Sequence, residues 1–128
     1  MLNNHGQSLV SFVLVIPIFL FIFILAVDVG NMYLTRRMLD NINYIAIDYA
    51  IDHINDESLS ENMSLIINNN DDKIEINDFL VNDNKIYINT SKDYNGIFIG
   101  LIKNKMNIVK SSYVGYMADD KKVIERNK

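Results

Sequence analysis

The chain has 128 residues and a formal net charge of −4, which leaves room for one small domain and an appendage. It contains no cysteine, so disulfides, thiolate metal sites and cysteine nucleophiles are excluded. The negative charge argues against a nucleic-acid partner. Every charged residue lies at Asp28 or later, so the chain divides into an uncharged N-terminal segment and a polar remainder.

A short polar leader, MLNNHG, precedes an uncharged apolar run from Leu9 to Val27. As a helix this run is about 28 Å long, close to the ~30 Å hydrocarbon core of a bilayer. A cleavable secretory signal needs a basic leader, and this leader has no Lys or Arg. We therefore predict a leader over 1–6 and a retained transmembrane helix over 7–27. The residues assigned to this membrane helix include Leu9, Phe12, Leu14, Pro17, Phe19, Phe21, Phe23 and Val27.

The helical pattern continues past the apolar run as an amphipathic segment over 28–56. Apolar residues recur there at steps of three and four, the spacing of one helix face. The predicted packing stripe is Met38, Leu39, Ile42, Ile45, Ala46 and Tyr49. Asp40, Asn43, Asp48 and Asp52 are expected mostly away from it. One helix over about 7–55 is predicted, bent at Pro17 and loosened near Gly30.

Residues 57–118 are predicted to form a small α+β head. A short helix is expected around 59–67, and Ile74/Ile76 and Ile86/Ile88 alternate with polar residues as in half-buried strands. The NDN at 82–84 is a turn signal. Residues 97–102 fit a strand or a short helix, and 106–117 a strand. The charged tail, 119–128, is expected to fray. The predicted fold is thus α+β, a long helix packed on an antiparallel sheet of three to four short strands.

No catalytic set is evident in the sequence. His53 lies beside Asp52 and near Asp56, and the plainer interpretation is a surface histidine among acids rather than a metal ligand. The DD pairs at 71–72 and 119–120 lack the spacing of a calcium loop. We therefore expect no enzyme activity, no metal and no cofactor. The tyrosines are interpreted as core and interface residues: Tyr33, Tyr44, Tyr49, Tyr113 and Tyr116.

The charge beyond the apolar run is uneven. Residues 28–93 carry 5 basic and 13 acidic side chains, whereas residues 94–128 carry 7 basic and 3 acidic ones. One interpretation is that copies pack with an acidic side against a basic end. The other is a solvated surface with a basic tail.

The segment GQSLVSFVLVIP, followed by VGNMYLTRRMLDN at 29–41, resembles the TadE-like family. These proteins are minor pseudopilins of the tight-adherence branch of type IV pili. The matching residues are Gly6, Leu9, Val10, Phe12, Leu14 and Pro17, and the likeness covers about the first 50 residues. The resemblance implies an anchored subunit whose partners are the bilayer, a prepilin peptidase, other pilin-like subunits and the pilus assembly platform.

The resemblance also implies a processing site and an orientation. The peptidase would cut on the cytoplasmic side between Gly6 and Gln7, leaving the head extracytoplasmic, at the cell membrane or on a pilus. Arg36 and Arg37 oppose this orientation, because the positive-inside rule alone mildly favours an outer N-terminus. Similar arginines are common in the family, so we expect the N-terminus to be cytoplasmic.

One position departs from the family pattern. Pilins usually carry glutamate at the fifth mature position, where this chain has Ser11. In the family that carboxylate is thought to pair with a neighbouring subunit's amine, so a tip, initiating or assembly-only role is expected here. The alternative is an uncleaved single-pass membrane protein with a small extracellular ligand- or partner-binding domain, in which Gly6 is incidental.

Overall fold

The computed structural model of the protein describes residues 4–97 and 108–127. The element order is α1 (Asn4–Asp52), α2 (Leu59–Asn70), β1 (Glu75–Asn82), β2 (Lys85–Asp93), β3 (Ile108–Ala118) and β4 (Lys121–Arg126). The strands form one antiparallel sheet in the order β1-β2-β3-β4. The predicted α+β class is therefore confirmed, with four strands. Apart from Ile97, the predicted element at 97–102 lies outside the described residues, as do the first two residues of the strand expected at 106–117.

Helix α1 joins the apolar run to the head without interruption, passing through both Pro17 and Gly30. A proline removes one backbone hydrogen bond, but a membrane-type helix accommodates that loss. Because no loop separates the two halves of α1, the position of the apolar run is coupled directly to that of the head.

Two tight turns set the register of the sheet. Asp83 and Asn84 connect β1 to β2, and Asp119 and Asp120 connect β3 to β4. All four residues have positive φ, as a two-residue type I′ turn requires, and Asp and Asn tolerate that conformation better than most residues. The turn predicted at 82–84 is thus present.

The expectation that the charged C-terminal end frays is wrong for residues 121–126. These residues pair with β3 as strand β4, from Ala118↔Lys121 to Tyr113↔Arg126. The Asp119-Asp120 turn brings the chain back onto the sheet, and Lys122 Nζ then donates to Asp48 and Asp52 of α1. This charged segment therefore forms an edge strand, and the charge of Lys122 is paired with carboxylates of the helix.

The core lies between α1, α2 and the inner face of the sheet. Its buried apolar residues include Leu39, Ile42, Ala46, Ile47, Ala50, Ile51, Leu59, Met63, Ile67, Ile74, Ile86, Ile88 and Val109. Gly115 of β3 lies where a β-carbon would collide with Ile47 of α1. The absence of a side chain there allows the helix to approach the sheet closely.

The packed face of α1 is rotated relative to the predicted stripe. Leu39, Ile42 and Ala46 are buried and Met38 and Tyr49 are half-buried, but Ile45 is 51% exposed. Asp40 and Asn43, expected to point away from the core, are buried instead. The reason is that both find hydrogen-bond partners on the sheet, which removes most of the cost of burying a polar group.

Candidate membrane and assembly helix

The N-terminal part of α1 makes little contact with the head. Residues 6–23 are all exposed, and the large apolar side chains among them are between 40% and 66% exposed. Within the described residues, α1 is the one helix long and apolar enough to cross a membrane. Of the residues assigned to the membrane helix, Val27 is half-buried and the others are exposed: Leu9, Phe12, Leu14, Pro17, Phe19, Phe21 and Phe23. Its length and composition suit a membrane anchor.

Gly6 and Gln7, the predicted processing site, lie in the exposed first turns of α1. A β-carbon added at Gly6 would meet nothing within 4 Å. Glycine in a helix costs about 1 kcal/mol relative to alanine, and neither packing nor a positive φ requires it here. A side chain at this position would therefore disturb no packing within the described residues.

Ser11, which the family resemblance is expected to align with the pilin glutamate, lies in the exposed part of α1. It lines an open recess with Gln7, Ser8, Phe12 and Val15 on one side of α1. The polar groups of this face are a neutral amide and two neutral hydroxyls, so it brings no charge into the apolar part of the helix. Their burial in lipid is far less costly than that of a carboxylate.

The apolar run ends at Asp28, which is fully buried although it is the first charged residue of the chain. Its Oδ1 accepts hydrogen bonds from the backbone N–H of Ile97 at 2.9 Å and from the Tyr94 hydroxyl at 3.4 Å. A β-carbon at Gly96 would come within 2.5 Å of the same oxygen. Asp28 thus fastens the segment after β2 to the helix at the end of the apolar run.

A second polar cluster fixes α1 on the sheet. Thr90 Oγ1 donates to Asn43 Oδ1 at 2.9 Å, and Asn43 Nδ2 donates to Ser111 Oγ at 3.0 Å. Ser111 Oγ donates in turn to Asp40, whose other oxygen accepts from Arg126 Nη2 at 2.7 Å. The cluster connects α1 to β2, β3 and β4, and it fixes both the rotation and the height of the helix over the sheet.

Beyond the apolar run, α1 retains an exposed apolar face on the side away from the sheet. Leu34 is 60% exposed and Ile45 is 51% exposed, and both line one recess with Met38, Asn41 and Asn70. Steps of three and four residues separate Leu34, Met38, Asn41 and Ile45, so these residues lie on one face of α1. This face lies beyond the apolar run on the same helix. We call it the outer helix face.

Sequence reasoning missed Asp28, Asp40 and Asn43, because each is buried through partners far along the chain. The signals available were the position of Asp28 at the end of the apolar run and the Asn95-Gly96 turn signal.

His53, just past the end of α1, stacks on Tyr49 with ring centroids 4.1 Å apart. Of the other tyrosines, Tyr33 and Tyr44 are exposed, whereas Tyr113 and Tyr116 are half-buried. Over residues 4–97 and 108–127, no group of three or more potential metal ligands is found.

Comparison with known proteins finds a similarity in the N-terminal segment. The model of the family described as TadE-like protein matches residues 6–42, under a third of the chain. This match agrees with the family resemblance predicted from the sequence and covers both Gly6 and the exposed apolar helix. No curated protein and no solved structure matches the chain.

Proposed function

Because residues 6–42 match the TadE-like family, we propose that the protein is a minor pilin-like subunit, a pseudopilin, of a Tad-type pilus or related secretion apparatus. The observation that carries the proposal is the exposure of residues 6–23 of α1, in the same segment that matches the family. In the membrane this surface faces lipid. In an assembly it packs against the long helices of other pilin-like subunits and the assembly platform.

The outer helix face extends this packing surface beyond the bilayer. It gives neighbouring subunits an apolar contact along α1 at Leu34 and Ile45, on the side that the sheet leaves open. Apolar patches that continue an exposed helix are typical of protein contacts rather than of a solvated surface. This face is where we place the contact with other subunits after extraction from the membrane.

Processing after Gly6 is the first test. We propose that a prepilin peptidase cuts between Gly6 and Gln7 on the cytoplasmic side, which leaves the head extracytoplasmic. The intact mass of the protein is measured from cells with and without the peptidase. A mature chain that starts at Gln7 only when the peptidase is present is the expected result, and an unprocessed chain in both strains contradicts the proposal.

A matched pair of glycine variants sharpens this test. Gly6 and Gly30 both lie in α1, and a β-carbon added at either would meet nothing within 4 Å, so neither site is constrained by packing within the described residues. Gly6→Val is expected to block cleavage, whereas Gly30→Val is expected to be processed like the unchanged protein. Equal processing of the two variants means that Gly6 is not the recognition residue.

The neutral Ser11 favours a tip, initiating or assembly-only role, because it cannot attract a neighbouring amine as a carboxylate would. The expected distribution is at fibre ends or in the membrane. Immunogold labelling of sheared fibres measures that distribution, and Ser11→Glu is expected to increase incorporation. Labelling along whole fibres, unchanged by Ser11→Glu, overturns this part of the proposal.

The second candidate function is an uncleaved single-pass protein with a ligand- or partner-binding head. The observation that favours it is the outer sheet face, where Leu80, Tyr87 and Val114 are cross-strand neighbours on the side away from α1. Leu80 is 50% exposed and Tyr87 is half-buried, whereas Val114 is only 8% exposed, so Leu80 and Tyr87 form the accessible part of this face. An unprocessed chain in the mass measurement makes this the better account.

A further inference from the structure

The part of the head nearest the apolar run presents exposed apolar and basic side chains together. Tyr33 and Arg36 of α1 and Ile108 and Lys110 of β3 line one recess of about 310 Å³. Ile97, whose N–H is bonded to Asp28, is 62% exposed. We call these five residues the membrane-proximal patch: Tyr33, Arg36, Ile97, Ile108 and Lys110.

The direction of β3 places the patch at the membrane end of the head. Ile108 lies beside Met32 and Tyr33, Ser111 bonds to Asn43, and Gly115 faces Ile47. The strand therefore starts next to the apolar run and runs away from it along α1. The opposite end of the sheet carries the β1–β2 and β3–β4 turns.

The helix also sets the height of the patch above the hydrocarbon. Tyr33 is six residues and Arg36 nine residues beyond Val27, which places their Cα atoms about 9 Å and about 14 Å further along α1. The headgroup layer on each side of a bilayer is roughly 5–8 Å thick. Helix side chains point back toward the N-terminus, so Tyr33 and Arg36 are directed toward that layer.

The charge of the patch is positive, and no ion pair among the described residues offsets it. Within residues 4–97 and 108–127, the ion pairs involve Lys92, Lys122 and Arg126 but neither Arg36 nor Lys110. Three carboxylates lie close to the patch: Asp28 accepts from the Ile97 N–H, Asp40 is paired with Arg126, and Asp93, the cross-strand neighbour of Ile108, is exposed. The three cations Arg36, Arg37 and Lys110 outnumber the one exposed acid. Arg37 adds a further cation, with its guanidinium carbon 6.0 Å from the centre of the Tyr33 ring.

From this arrangement we infer that the membrane-proximal patch lies on the bilayer surface and binds the headgroups of anionic phospholipids. Arg36 and Lys110 meet the phosphate charges, and Tyr33, Ile97 and Ile108 enter the interfacial layer, where aromatic and apolar groups are favoured. The inference rests on α1 spanning a bilayer. It goes beyond the proposed assembly role, because it requires no second subunit. Height and continuity with the membrane helix favour lipid over an acidic protein surface.

The test uses the full chain reconstituted into vesicles. Since the sequence has no cysteine, Asn95→Cys gives a single labelling site beside the patch for an environment-sensitive dye. Spin-labelled headgroups in the vesicle quench the dye when the patch lies on the bilayer. Vesicles of phosphatidylcholine alone are compared with a three-to-one mixture of phosphatidylcholine and phosphatidylglycerol, at low and high salt.

Stronger quenching in the anionic vesicles, reduced by high salt, is the expected result. Each basic residue at such a surface contributes about 1 kcal/mol, so removing one charge is expected to lower the ratio of docked to undocked heads about fivefold. The double variant Arg36→Gln/Lys110→Gln therefore loses most of the difference between the two vesicle types. The control Lys85→Gln/Lys121→Gln removes the same charge at the far end of the sheet and keeps that difference.

Two results overturn the inference. Equal quenching in neutral and anionic vesicles shows that no headgroup charge is recognised. Weak quenching in both, with cross-linking of Lys110 to an acidic side chain of a second copy, shows that the patch binds protein instead. Neither result depends on cleavage after Gly6, so failure here is distinguishable from failure of the proposed function.

Discussion

Asn43 in the middle of α1 accepts a hydrogen bond from Thr90 of β2 at 2.9 Å, and both side chains are completely buried. The amide nitrogen of Asn43 is used as well, since it donates to Ser111 of β3. A helix packed on a sheet through apolar contacts alone could rotate or slide by a few residues with little penalty. The Asn43 amide keeps the hydrogen bonds of both its oxygen and its nitrogen only in one placement of the helix on the sheet.

Replacing Asn43 by alanine is expected to lower the free energy of unfolding of the head by about 2 kcal/mol, because buried partners on two strands lose their hydrogen bonds. Urea denaturation of the full chain in detergent micelles measures this. Asn41→Ala is the control, because Asn41 is exposed on the same helix. Equal stability of the two variants would show that the cluster contributes nothing net.

Gly115→Ala is expected to destabilise the head by about 1–3 kcal/mol, because the new methyl group overlaps Ile47 and forces the helix away from β3. The same measurement on Gly115→Ala/Ile47→Ala is expected to show a smaller combined loss than the sum of the single changes. Gly30→Ala, at an open helix position, is expected to be neutral or stabilising by up to about 1 kcal/mol. Additive losses would place the helix further from the strand than the structure has it.

Asp28→Ala is expected to release the segment after β2 from the helix. The Ile97 N–H loses its acceptor, and a buried unpaired donor costs about 1–3 kcal/mol unless the segment moves to water. Hydrogen exchange, read on the peptide that contains Ile97, is expected to become at least tenfold faster. Asp93→Ala, a nearby exposed acid, is the control, and unchanged exchange in Asp28→Ala would contradict the role of this carboxylate.

Asp71 is expected to make the free energy of unfolding of the head depend on pH. Lys92 Nζ and the N–H of Lys73 donate to its two oxygens, and these bonds lower the pKa of Asp71 below its ordinary value. In the unfolded chain the carboxyl of Asp71 has a pKa of about 3.9. The contribution of its bonds to the free energy of unfolding is therefore complete above that pH, and it is lost as the pH falls through the lower pKa of the folded state. Asp71→Asn is therefore expected to cost about 1 kcal/mol at neutral pH and to become equal to the unchanged protein in strong acid.

Urea midpoints at neutral pH and in strong acid measure this effect. Asp72→Asn is the matched control, because Asp72 is exposed and adjacent. A stability difference that is the same in both conditions would show that the Asp71–Lys92 pair does not contribute.

Local pattern was sufficient to predict the parts of the fold that depend on neighbouring residues. Each of these signals involves only residues close together in the chain, and each has the predicted structure. They are the apolar run, the helical spacing after it, the alternation at Ile86 and Ile88, and the Asp83-Asn84 turn. The TadE-like match also falls on the segment where the resemblance was seen.

The remaining features depend on contacts across the chain. Asn43 and Ser111 are 68 positions apart, and no local pattern shows that a polar helix residue will meet a serine on a distant strand. The same reason explains β4, where Lys122 reaches Asp48 and Asp52 across more than half of the sequence. The spacing of Ile45 predicts a place in the packing stripe, but α1 buries Asp40 and Asn43 against the sheet and leaves Ile45 51% exposed.

The unbroken course of α1 through Pro17 and Gly30 has a mechanical consequence. Anchor and head share one helix, so a pull on the sheet is carried along the backbone of α1 to the lipid-facing end, with no linker to absorb it. The Asn43 cluster and the Asp28 tether are the attachments that transmit this load from strands to helix. In the proposed membrane topology, a force that draws the head away from the bilayer therefore acts directly on the contact between lipid and the apolar run.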